Sequence, residues 1–346
     1  MQQMMDGELI IQRHESDHYS TFFNRRTGFF VRYEDDGFPE PFWSSNGPEL
    51  LDISITNYCE RACKFCYRQA NMKGQHMAYL DLLKVLDEAK NAGVLQIALG
   101  GGNPNQHPYF CNILEEIRAR GIVPSYTSNG EGLTDEILDV TAVYCGAMAI
   151  SLYPPYDVYE KLIARIYSYG IKVNLHIILK TDTIDMLTGW LYSNPSFFKH
   201  VNAIIILNYK PVGSNQDLTV RDTKKLQMFY QAANQCKTVK IGFDSCSVPG
   251  LVTWMDVNPL FVESCESACF SAFISEEMKM YPCSFMIGTD MYGNLRESSL
   301  LDIWRYNKYF VAHRQKKQDV KCTLCKHKKL CNGGCIFLPS INQCNF

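Results

Sequence analysis

A chain of 346 residues, 46% hydrophobic and 20% charged, has room for about two domains or one barrel with an appendage, and its composition excludes a disordered, collagenous or coiled-coil protein. With 34 Lys plus Arg against 36 Asp plus Glu, it carries no electrostatic footprint for nucleic acid or an acidic membrane surface. There is no apolar run of the roughly 18 residues that span a bilayer and no secretory signal pattern at the start, so a cytoplasmic location is expected and the 15 cysteines point to metal rather than to disulfides.

Three zones follow in chain order: 1–48, 49–242 and 243–346. The first is rich in aromatics and charge, with a turn signal at Asp36-Gly37 and breakers at Pro39, Pro41 and Gly47-Pro48, and predicts a short β-rich lead-in without chemistry of its own. In the second, apolar runs at 51–56, 94–99, 122–127, 147–152, 171–178 and 203–207 alternate with segments of helical spacing at 79–92, 109–120, 134–143 and 156–169. That alternation predicts βα units around a parallel sheet, and six units suit a partial barrel better than a closed eightfold one. In the third zone the alternation fades and cysteines crowd in, as expected of a smaller second domain.

Directly after the first strand of the second zone comes Cys59-Glu60-Arg61-Ala62-Cys63-Lys64-Phe65-Cys66, a CxxxCxxC loop at the carboxyl end of a strand, where parallel α/β sheets bind ligands. Three thiolates on one loop grip three irons of a 4Fe–4S cluster and leave the fourth free for another molecule. A structural zinc is the bland alternative, but such sites are closed by four ligands and usually arrive as paired knuckles.

With Phe65 before its third cysteine, this loop resembles the hallmark of the radical S-adenosylmethionine (radical SAM) family. The resemblance covers roughly residues 50–240. It implies a partial (β/α)6 barrel, SAM on the open iron, and reductive cleavage to methionine and a 5′-deoxyadenosyl radical. It also implies cofactor contacts at Phe65 and Tyr67, at Gly101, Gly102 and Asn103 of a GGEP-like loop whose Glu is here Asn, at Ser128 and Asn129 of a TNG-like strand end, and at Ser151 and Asn174. For each polar residue taken singly, an ordinary core hydrogen bond is an equal reading. Asn174 and His176 alternate on one strand and so share a face, and Tyr153 follows Ser151 closely enough to reach the site.

Beyond residue 243, Cys322, Cys325, Cys331 and Cys335, followed by Cys344, resemble the SPASM extension of the same family. By that resemblance one auxiliary 4Fe–4S cluster uses Cys265, Cys269, Cys283 and Cys335 and a second uses Cys322, Cys325, Cys331 and Cys344. Cys246 is an alternative to Cys269, and the sequence does not choose. Met278 stands where the hairpin glycine would be, so the turn must be built differently. A zinc ribbon is the competing reading of these spacings. The basic stretch Lys316, Lys317, Lys321, Lys326, Lys328 and Lys329 is read as a solvated face, and Cys111, Cys145 and Cys236 as small core residues.

SPASM members mostly modify peptides, so the resemblance implies a peptide-modifying enzyme of ribosomal peptide maturation that makes a crosslink, an epimer or an oxidised side chain. Its expected partners are a peptide substrate, a separate leader-binding protein that delivers it, and an electron donor such as flavodoxin or ferredoxin. Neither nucleic acid nor membrane is expected. Ser284 replaces the Asp that follows the hairpin cysteine in sulfatase-maturing members, which counts against formylglycine formation, and no residue is identified as the proton acceptor. Two other readings stand beside this one: a radical SAM activity on a small metabolite or nucleoside, and a non-catalytic iron–sulfur or zinc protein.

Overall fold

The computed structural model describes residues 10–344 except 17, 36, 38–39, 214–215, 319–321 and 323, so Asp36, Pro39 and Lys321 lie outside the described residues. The lead-in forms an antiparallel meander of β1 (Ile10–Ser16), β2 (Tyr19–Asn24) and β3 (Phe30–Glu34). Its apolar face sets Phe23, with Ile11 and Phe30, against Leu95 and Val123, at the amino ends of the barrel strands. Charge fixes it there as well. Arg32 of β3 pairs with Glu49 at 2.6 Å, Glu266 at 2.6 Å and Glu263 at 3.2 Å, and its guanidinium stacks over the Phe270 ring.

The barrel then follows: β4 (Leu50–Thr56), α1 (Tyr79–Asn91), β5 (Gln96–Gly101), α2 (Phe110–Ala119), β6 (Val123–Ser128), α3 (Asp135–Tyr144), β7 (Ala147–Ser151), α4 (Tyr159–Ser168), β8 (Val173–Leu179), α5 (Ile184–Ser193), β9 (Ala203–Asn208), α6 (Thr223–Gln235) and β10 (Lys240–Phe243). All six expected strands form, and β10 adds a seventh that pairs parallel with β9. The helices form because their apolar residues recur at helical spacing. On α1 the buried set is Leu82, Val85, Leu86 and Ala89, and on α2 it is Phe110, Ile113, Leu114 and Ile117. Caps add to this: the Thr134 hydroxyl accepts from Ile137 N at 3.2 Å, and Asp222 accepts from Lys224 N and Lys225 N. Strand β8 shows the two-sided logic of a barrel. Val173, Leu175, Ile177 and Leu179 are buried, while the residues between them are half-buried toward the interior.

After β10 the chain runs through α7 (Val248–Trp254) to β11 (Ser271–Ile274), which pairs parallel with β4, and then antiparallel through β12 (Lys279–Tyr281) and β13 (Gly293–Asn294). One sheet of order β10-β9-β8-β7-β6-β5-β4-β11-β12-β13 therefore crosses the boundary expected at residue 243. Strands β10 and β4 are not hydrogen-bonded neighbours, so the barrel is open between them, and the 244–271 segment runs past that opening. The β11–β12 turn holds Met278 at φ +66 with its side chain buried. Methionine thus takes the left-handed conformation that glycine would adopt without strain. The chain ends in α8 (Leu300–Tyr306), α9 (Lys308–Gln318) and α10 (Lys328–Cys331). Among the described residues no helix is long and apolar enough to cross a membrane.

Candidate active site

The cysteine loop leaves the carboxyl end of β4 and folds back on itself: Cys59 N donates to Asn71 O at 3.1 Å and Cys66 N to Cys63 O at 3.0 Å. Ala62 at φ +45 and Gln69 at φ +50 make the sharp bends. Cys59, Cys63 and Cys66 all line a cavity of about 1080 Å³. Burial pushes the Cys63 thiol up, with Arg61 opposing and the other two sulfurs adding to the rise. Asn129 Nδ2 approaches Cys59 Sγ at 3.7 Å. Three sulfurs from one loop, facing open space and, among the described residues, without a fourth Cys, His or acidic side chain beside them, fit a cluster held at three corners. Among the described residues no three Cys, His or acidic side chains converge as the ligands of a single metal ion would.

Of the expected cofactor contacts, Phe65, Tyr67, Gly101, Gly102, Ser128, Asn129 and Ser151 line this cavity. Asn103 does not. It is buried, its Nδ2 donates to Glu131 O at 3.0 Å, and its Oδ1 accepts from Ser128 Oγ and Asn129 N, both at 3.2 Å. Its role in this structure is to hold the loop after β6. Nor does Asn174, whose Oδ1 accepts from Asn202 Nδ2 at 2.8 Å away from the cavity. His176, two residues on, does line it, with Nδ1 at 3.4 Å from Thr127 Oγ1 and burial pulling its pKa down to about 4. Tyr153 also reaches the site. Its ring lies 5.5 Å from that of Phe65, and Arg61 covers it at 4.9 Å.

The three glycines after β5 divide their work. A Cβ on Gly102 would sit 2.0 Å from Tyr58 O, and one on Gly101 would sit 2.1 Å from Thr56 O. Both must be glycine: the end of β4 packs against Gly101, and the backbone of Asn57 and Tyr58 just beyond it packs against Gly102. A Cβ on Gly100 would meet nothing within 4 Å, so it is there that a missing side chain leaves open space in the cavity.

Farther along the same wall lie Cys246, Cys265 and Cys283. Cys335 interacts directly with Cys246 and electrostatically with Cys283, which in turn feels Cys265. These four thiols share one neighbourhood. Cys269 is buried and off the cavity lining; it feels the Cys265 sulfur, and its own sulfur lies 3.4 Å from Lys317 Nζ, which also donates to the Cys265 carbonyl. Lys317 is therefore a buried structural cation rather than part of a solvated face. Cys331, Cys344, Cys322 and Cys325 form a second group through mutual electrostatic contact. Sequence reasoning passed over five charged cavity residues, Asp52, Lys210, Asp244, Glu263 and Glu266. The first was visible as the one charged residue of β4.

Residues 53–180 match the family model of the radical SAM superfamily, and residues 265–331 match the SPASM iron–sulfur cluster-binding domain. The chain is 23% identical to a tungsten-containing aldehyde ferredoxin oxidoreductase cofactor-modifying protein of Pyrococcus furiosus, over 82% of this chain and 89% of that one. It is 19% identical to the mycofactocin maturase MftC of Mycolicibacterium smegmatis, over 84% of this chain and 79% of that one. In fold it is similar to Streptococcus suis SuiB bound to its precursor peptide SuiA, with a TM-score of 0.73 at 15% identity over 95% of this chain and 94% of that one.

Proposed function

The chain belongs to the radical SAM superfamily and carries a SPASM iron–sulfur domain, and from that premise we propose that it is a peptide-modifying enzyme of ribosomal peptide maturation. SAM bound at a reduced 4Fe–4S cluster supplies a 5′-deoxyadenosyl radical, which abstracts a hydrogen atom from an unactivated carbon. Cys59, Cys63 and Cys66 would hold that cluster. Gly100 leaves room beside it, and Phe65, Tyr153 and Arg61 form one wall of the same space. The observation that carries this reading is the continuity of the cavity. From the cysteine loop it passes Ser151 and His176 and reaches Cys246, Cys265 and Cys283. Its volume of about 1080 Å³ exceeds what one drug-sized cofactor needs and leaves space for a residue of a second molecule. Leu260 and Phe261, 86% and 85% exposed, stand on its lining and offer apolar contact to a chain entering from outside. That relatives and structural neighbours include maturases and a precursor-peptide complex supports a peptide as that second molecule.

The same geometry supports two auxiliary clusters, one held by Cys246, Cys265, Cys283 and Cys335 and one by Cys322, Cys325, Cys331 and Cys344. The direct contact between Cys246 and Cys335 supports Cys246 over Cys269, whose sulfur is engaged by Lys317 and lies off the cavity lining. Delivery by a separate leader-binding protein and reduction by flavodoxin or ferredoxin complete the proposal. Anaerobically reconstituted protein with SAM and dithionite is expected to release 5′-deoxyadenosine and, given the synthetic peptide encoded by the short reading frame beside this one, to shift that peptide's mass. No deoxyadenosine above a Cys59→Ala control would sink the radical reading; deoxyadenosine without an altered peptide would sink the peptide reading alone.

A further inference from the structure

Four acidic side chains line the cavity: Asp52, Asp244, Glu263 and Glu266. Three are committed to cations. Asp244 pairs with Lys210 and accepts from Ser247 Oγ at 2.7 Å, while Glu263 and Glu266 pair with Arg32. The guanidinium on the cavity lining, Arg61, is held by Glu131 and the Pro154 carbonyl. Asp52 alone of the four has no hydrogen bond or ion pair among the described residues. Its register neighbours are Ala98 on β5 and Phe273 on β11, and neither side chain has a polar group to offer it. Burial, with no nearby charge to offset it, pushes its carboxyl up to about 6.

A carboxylate on a cavity wall without a protein partner is free to take a group that arrives with the substrate, and once the substrate fills the cavity and excludes water an unmet charge there would cost stability. The position suits one. Asp52 lies four residues below the end of β4, about 13 Å down the strand at roughly 3.3 Å per residue, and so beneath the cysteine loop. The Tyr67 phenol feels its charge, and Tyr67 packs on Phe285 at 4.6 Å, next to Ser284 and Cys283. The carboxylate thus stands on the cavity wall beneath the cysteine loop, close to Tyr67.

We propose that Asp52 is the proton acceptor of an oxidative bond formation on the peptide, an inference that rests on the peptide-modifying reading above. The substrate carbon gives a hydrogen atom to the 5′-deoxyadenosyl radical, which leaves as 5′-deoxyadenosine. A substrate thiol, hydroxyl or N–H gives its proton to the Asp52 carboxylate. The one electron to be lost would be taken by an oxidised iron–sulfur cluster, which Cys246, Cys265, Cys283 and Cys335 would hold, as the carbon–heteroatom bond closes. The peptide loses two hydrogens in all, one as an atom and one as a proton with its electron. Epimerisation, which returns a hydrogen to the carbon, has no use for this carboxylate.

The test compares wild type, Asp52→Asn and Asp52→Glu as cluster-loaded enzymes with SAM, dithionite and the synthetic peptide from the neighbouring short reading frame. Expected are a wild-type product lighter by two hydrogens, a fall of about 100-fold in product formed per deoxyadenosine in Asp52→Asn, and partial rescue in Asp52→Glu. The wild-type rate should decline below about pH 6, and that limb should vanish from the residual Asp52→Asn activity. Without reductant, the peptide should slow carbodiimide labelling of Asp52, a readout independent of turnover. A peptide product of unchanged mass, or product per deoxyadenosine in Asp52→Asn within threefold of wild type, overturns the assignment. Should Asp52→Asn fail to take up iron, the pH limb of Asp52→Glu decides instead: an unmoved limb overturns the proposal. Deoxyadenosine from wild type with no altered peptide removes the peptide reading and this inference with it.

Discussion

Substituting alanine at Gly102 should disable the cysteine loop without touching a cysteine. The new methyl would sit 2.0 Å from Tyr58 O, 2.6 Å from Tyr58 C and 3.0 Å from Asn57 C. These are backbone atoms of the residues that lead into Cys59, so no side-chain rotation can relieve the overlap. Moving the Tyr58 carbonyl from 2.0 Å to an ordinary contact distance requires a shift of more than 1 Å between the two segments. That shift strains the bonds joining them, Gly102 N to Thr56 O at 2.7 Å and Asn103 N to Tyr58 O at 2.9 Å. Overpacking of this kind costs about 1–3 kcal/mol, and a misplacement of about 1 Å at a reacting centre costs on the order of 100-fold in rate. Deoxyadenosine release per cluster, measured anaerobically, should therefore fall about 100-fold in Gly102→Ala, with melting lowered by a few degrees. Gly100→Ala is the control for the fold: its methyl meets no protein atom within 4 Å, so iron content and melting should stay at wild-type values. Wild-type deoxyadenosine release from Gly102→Ala would refute the claim that glycine is required here by the approach of the Asn57 and Tyr58 backbone.

Cys246→Ala should lower the iron content by about four atoms per chain and Cys269→Ala should leave it unchanged, as read by iron and sulfide analysis; the reverse outcome would return Cys269 to the cluster. Asp52→Asn should stabilise the protein at alkaline pH. The folded carboxyl sits near 6 and the unfolded one near 3.9, so the native state is penalised as pH rises through that interval, by at most about 3 kcal/mol above it. The variant's melting advantage should be several degrees at pH 8 and nearly absent at pH 4, and an advantage independent of pH would contradict the burial of a charge. Arg32→Met should loosen the lead-in sheet, because Glu49 and Glu266 lose their shared guanidinium in a largely buried setting. Removing one partner of such a group costs about 3–5 kcal/mol, so proteolysis between β3 and β4 should accelerate, and an unchanged cleavage rate would argue against the clamp.

The parallel barrel was legible because its signal is local: apolar runs of strand length, helical spacing between them, and a cysteine motif placed where such sheets bind ligands. Strand β10 escaped because it has four residues, Lys240 to Phe243, one of them glycine, too few to display a period. The preference proposed for Cys246 over Cys269 could not be read from spacing, because what supports it is remote: Lys317, 48 residues beyond Cys269 in sequence, sits within 3.4 Å of its sulfur. Met278 shows the opposite lesson. The missing glycine was visible, but the buried methionine that holds the same left-handed turn depends on the core around it. Asp52 lies between these cases. Its charge interrupts Leu50–Thr56 in plain view, yet only the register that sets Ala98 and Phe273 beside it, and the pairing of every other cavity carboxylate with a cation, turn a polar interruption into an unanswered charge. A folded chain tolerates such a residue at a cost in stability, and a substrate proton is what would relieve it.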